Sequence, residues 1–142
     1  MKTIAAGVGL LICVALAAFS AAPLESLRGT HRVLVVSTPS AKDPSFRRQD
    51  QWLARAGAGL RERDVAVIRI VADAIGSPHQ PRLEAAAVRA AAGLDASRFG
   101  VVLIGKDGSE ALRASRPLTA QSLFAIIDAM PMRRREIELR KR

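Results

Sequence analysis

A chain of 142 residues with one cysteine has room for a single domain behind a targeting segment, and it cannot hold a disulfide framework. Lysine and arginine outnumber aspartate and glutamate 22 to 13, a formal charge of +9. That excess suits an anionic partner (lipid headgroups, lipopolysaccharide or nucleic acid) or a basic surface that is merely solvated.

The first 22 residues carry the pattern of a secretory signal peptide: Lys2, an apolar run from Ile4 to Phe19, then Ser20, Ala21 and Ala22. The apolar run is shorter than the roughly 20 residues of a spanning helix, although an uncleaved leader acting as an anchor is the alternative. Cys13 follows Ile12, where a lipoprotein signal needs a small residue, so it reads as part of the apolar run and departs with the leader. Thiolate nucleophiles and thiol–disulfide exchange are then excluded by inventory, and the expected location is the periplasm.

Residues 23–31 form a polar connector, and residues 32–37 a first strand. Its unbroken run Val33-Leu34-Val35-Val36 implies burial on both faces, as for a central strand. Asp43 and Pro44 pair a capping carboxylate with a residue suited to the first helical position, predicting a helix to about Arg61. Residues 65–71 read as a second strand, and Arg69 within it suits a sheet edge. A loop with Gly76, Pro78 and Pro81 leads to an alanine-rich helix over 81–92 that Gly93 ends. Residues 99–104 form a third strand, joined by the Gly105-Lys106-Asp107-Gly108 turn to a fourth over 109–115. Thr119 caps a last helix whose buried face is Leu123, Ile126, Ile127 and Met130, and Pro131 stops it. The tail 132–142, with six basic and two acidic residues, is expected to be solvated or frayed helix.

The order βαβαββα predicts an α/β domain over 32–131 of thioredoxin-like architecture: a mixed four-stranded sheet with helices on both faces.

Three stretches resemble a bacterial family known as domain of unknown function 4174. They are Val33 to Val36 with Pro39-Ser40-Ala41 and Asp43-Pro44, the run Val101 to Gly108, and the ending Asp128-Ala129-Met130-Pro131-Met132-Arg133-Arg134. The resemblance covers about residues 24–136 and implies a thioredoxin-like fold, similar to domains in some animal extracellular-matrix proteins, with no activity attached. The segment 93–98 lacks the proline that redox-active thioredoxin relatives place before their third strand.

Several groups are candidates for chemistry. Thr38, Ser40 and Asp43 lie in the loop after the first strand, where thioredoxin relatives carry reactive cysteines at a helix N-terminus. They suit an anion or peptide contact, a non-thiol enzyme, or simply a turn and a cap. Asp73, beyond the second strand, shares that sheet end if the strands are parallel. His31 and His79 are too few for a metal site, so no metal and no cofactor is expected. Arg133, Arg134 and Arg135 form a cluster suited to an anionic membrane surface. A protein partner or such a membrane is the expected contact. Nucleic acid is disfavoured, because Phe46, Trp52, Phe99 and Phe124 are dispersed on apolar faces and not stacked beside basic residues. Export, a thioredoxin-like order and a missing thiol together point to a non-catalytic binding or structural module.

Overall fold

The structure, a computed structural model, describes residues 23–78 and 83–142. His79 and Pro81, singled out in the sequence, lie outside the described residues. Five strands form one open mixed sheet in the order β3-β2-β1-β4-β5. They are β1 (Arg32–Thr38), β2 (Val65–Val71), β3 (Ala74–Gly76), β4 (Gly100–Ile104) and β5 (Glu110–Ala114). β1 and β2 run parallel, with Arg32 opposite Val65 and Thr38 opposite Val71, and the remaining pairs are antiparallel.

The sheet therefore has five strands and not the expected four. The extra strand is short and turns back through Ala72, whose φ of +50° is a left-handed conformation that alanine does not signal in sequence. β3 covers the outer side of β2, so β2 is not the edge that Arg69 suggested. Arg69 instead reaches Asp50 on the neighbouring helix.

Every residue of β1 is buried. Alternate side chains point to opposite faces of a strand, so Leu34 and Val36 enter one core while Val33 and Val35 enter another. The first core is closed by Phe46 and Leu53 of α1 (Pro44–Arg55), Leu60 of α2 (Gly57–Glu62), and Leu123 and Ile127 of α4 (Ala120–Asp128). The second is closed by Ala85, Val88 and Ala92 of α3 (Ala85–Ala92), and by Leu27 from a single helical turn at Glu25–Leu27.

Local chemistry sets the helix ends. Asp43 Oδ1 accepts from the Ser45 and Phe46 amides at 2.8 and 3.3 Å, and Thr119 Oγ1 accepts from the Ser122 amide at 3.1 Å. Gly93 closes α3 at φ +60°, and the Arg113 guanidinium donates to the free carbonyls of Ala92 and Gly93 there. The long helix expected from residue 44 to 61 is broken at Ala56 into α1 and α2. A Cβ at Gly59 would sit 2.6 Å from the Phe124 ring, so this glycine lets α2 approach α4. Gly59→Ala is expected to lower stability by about 1–2 kcal/mol, although alanine is the better helix former by roughly 1 kcal/mol. Urea unfolding checks this; a stabilised variant would show that the ring moves aside freely.

Pro131 ends one helix and begins another. It is the first residue of α5 (Pro131–Arg140), a position that needs no amide donor. The basic tail is thus largely an ordered helix.

Candidate functional site

Because β1 and β2 are parallel, the sheet has two chemically distinct ends. At their C-terminal end lies the loop singled out in the sequence. Thr38 is buried; its hydroxyl donates to the Ser40 carbonyl at 3.1 Å. Ser40 Oγ accepts from the Lys42 amide at 3.1 Å, and Asp43 caps α1. Asp73 is at this same end, in the turn between β2 and β3, with its side chain fully exposed. The hydroxyls and the carboxylate of the loop are engaged in its own turn and cap, and no neighbouring base is bonded to Thr38 or Ser40 among the described residues.

Beneath the loop sits a residue that sequence reasoning passed over. Arg89, on α3, is 6% exposed. Its Nε donates to the buried Ser37 Oγ at 2.9 Å, its Nη2 to the Ala72 carbonyl, and its Nη1 lies 3.8 Å from Asp73. One guanidinium therefore ties α3 to the end of β1 and to the turn that opens β3.

At the opposite end of the sheet, charges from five segments converge. Arg32 opens β1 with its side chain wholly buried; it donates to the Arg63 carbonyl at 2.8 Å and to both Glu136 oxygens at 3.2 and 3.4 Å. Lys106, from the β4–β5 turn, bonds Glu136 at 2.7 Å and Asp64 at 2.9 Å. Arg133, 2% exposed, reaches Glu62 at 2.8 Å and Asp128 at 3.2 Å. Arg63 clamps Asp128 with two bonds of 2.8 and 2.9 Å and lies over the Phe124 ring, 4.2 Å from its centre. These pairs hold α5 against the sheet. The Asp128 carboxyl is kept below the ordinary aspartate value, first by the Arg63 bond, against the effect of burial, with Arg133 adding to it. Burial alone would raise Glu136, but the Lys106 and Arg32 bonds outweigh it and hold this carboxyl low as well.

The structure thus separates the seven candidate residues. Thr38, Ser40, Asp43 and Asp73 share one end of the sheet, and the three arginines lie beyond the other. Arg133 corrects the reading of an exposed cluster: it faces inward, saturated by carboxylates, while Arg134 and Arg135 are exposed. His31 bonds Thr30 through Nδ1. Among the described residues, no three His, Cys, Asp or Glu side chains gather to hold a metal. Also among these residues, no helix is long and apolar enough to cross a membrane.

Fold and site define a mixed α/β open-sheet domain with ion-paired packing at one end and a self-bonded loop at the other. The chain belongs to the family described as domain of unknown function (DUF4174), matched over residues 23–136. It is similar to the Sushi repeat-containing protein SRPX of Homo sapiens, 30% identical over 126 residues, 84% of this chain and 27% of that protein. The Rattus norvegicus SRPX matches to the same extent. Sushi repeat-containing protein SRPX2 of Xenopus laevis is 28% identical over 112 residues, 75% of this chain and 24% of that protein. The chain spans about a quarter of the length of these relatives. No solved structure matches it.

Proposed function

We propose that this chain is an exported thioredoxin-like module that binds a partner and performs no thiol chemistry. The observation that carries the reading is the loop after β1. Where a thioredoxin-like scaffold offers a reactive cysteine, this chain offers Thr38, Ser40 and Asp43, each bonded within the turn or cap. The core order β2-β1-β4-β5, a parallel pair followed by a hairpin, supports the scaffold assignment. The leader-like first 22 residues support export, and the only cysteine, Cys13, lies within them. Similarity to a quarter of much longer proteins supports a modular role.

The test is to assay the chain as cells export it for dithiothreitol-driven insulin reduction and for peroxide consumption. No turnover above a heat-inactivated control is the expected result. Sustained turnover would refute the reading, and loss of that turnover on Cys13→Ser would name the responsible atom.

A further inference from the structure

We infer that the outward face of α5 docks on an anionic lipid bilayer. This deepens the reading of the chain as a binding module by naming what one face of it binds. Among the described residues, the large hydrophobic side chains left exposed are Met132 and Leu139, at 42% and 69%. Both belong to α5. They are seven positions apart, two turns of helix, and so share one side. Arg135 lies between them, three residues after Met132 and four before Leu139, and is exposed.

The inward side has the opposite character. Arg133 and Glu136 point to the domain and are bonded there, so the carboxylate that would offset the outer arginines is turned away. Exposed on α5 and beyond it are Arg134, Arg135, Lys141, Arg142 and Arg140, which bonds the Glu62 carbonyl, against Glu138 alone. Because Arg133 and Glu136 hold α5 to the domain, Leu139 and part of Met132 are left in water.

Two apolar side chains flanking Arg135, with further cations round the helix and at its C-terminal end, suit contact with a bilayer surface. The aliphatic groups enter the boundary between headgroups and acyl chains while the guanidinium groups meet lipid phosphates. Nucleic acid would use the charge and leave Met132 and Leu139 with no role. The bilayer accounts for both.

The full chain, as the cell leaves it, would be sedimented with vesicles of phosphatidylcholine alone and with vesicles containing phosphatidylglycerol. Comparing the two isolates the charge-dependent part from any contribution of the leader. At least tenfold tighter binding to the anionic vesicles is expected, and it should vanish in concentrated salt. Arg134→Gln with Arg135→Gln should weaken this component by about fivefold per arginine, and Met132→Ser with Leu139→Ser by about tenfold. These side chains are exposed, so the variants retain the fold, and circular dichroism checks that. Equal binding to both vesicles, or no effect of either pair of changes, would overturn the inference. So would duplex DNA binding that the arginine changes weaken and the serine changes do not. The insulin and peroxide assays stand apart: turnover there refutes the module reading, whereas vesicle failure removes only this ligand.

Discussion

Replacing Glu136 by alanine is expected to cost about 3 kcal/mol of folding free energy, the range seen when one partner of a buried ion pair is removed. For a domain of this size, that corresponds to a drop in Tm on the order of 15 °C. The carboxylate faces Arg32, whose side chain is 1% exposed, and Lys106, whose side chain is 9% exposed. Alanine strands Arg32 beside the Arg63 carbonyl alone and leaves Lys106 with Asp64 only. The loss comes from cations that stay buried without a counter-charge. Changing Arg32 and Glu136 together to methionine should therefore recover most of the stability, because both desolvation costs then disappear. Chemical unfolding of the single and double variants checks this. A Glu136→Ala protein within about 0.5 kcal/mol of the parent would show that the pairs of Glu136 with Arg32 and Lys106 contribute nothing to the fold.

The same carboxylate sets an acid limit. Its folded pKa lies below its ordinary value of 4.5, because the Lys106 and Arg32 bonds overcome burial. A depressed acid stabilises the fold fully above the unfolded value, and the contribution is lost as pH falls through the folded value. Asp128, held below 3.8, acts in the same direction at slightly lower pH. Urea midpoints should thus decline from about pH 5 downward, and Glu136→Ala should flatten the upper part of that decline.

Legibility followed how local each cause was. The run Val33 to Val36 reveals a central strand because burial on two faces removes polar alternation. Asp43-Pro44, Thr119 and the turn at Gly108, φ +84°, act within three residues and could be read directly. β3 was hidden: three residues supply no period, and its turn depends on a left-handed Ala72. The docking of α5 on the domain was hidden for another reason. Its partners stand 104 positions away for Glu136 and 71 for Arg133, and no hydrophobic stripe reports such pairing. Arg89 did leave a trace. It falls on the buried stripe of Ala85, Val88 and Ala92, and a cation on such a stripe must meet an acceptor inside.

That acceptor set makes Arg89→Met the second large effect, an expected loss of about 3 kcal/mol. Methionine keeps the apolar stem, so the variant isolates the guanidinium. Two charge-assisted bonds go with it, to Ser37 Oγ and to the Ala72 carbonyl. The Ser37 hydroxyl is fully buried, with Arg89 its side-chain partner, and the Ala72 turn holds a backbone conformation that alanine disfavours. Ser37→Ala should cost less, about 1–2 kcal/mol, and the double variant should show coupling of roughly 1 kcal/mol. Asp73→Ala should leave Tm unchanged, because that carboxylate is solvated and 3.8 Å away. Amide hydrogen exchange adds a local readout: in Arg89→Met, protection should fall first at Ala72, whose amide bonds the Thr38 carbonyl at 2.9 Å. If protection fell evenly across the sheet, the guanidinium would be a general brace. A loss confined to this end would make it the support on which the loop between β1 and α1 rests.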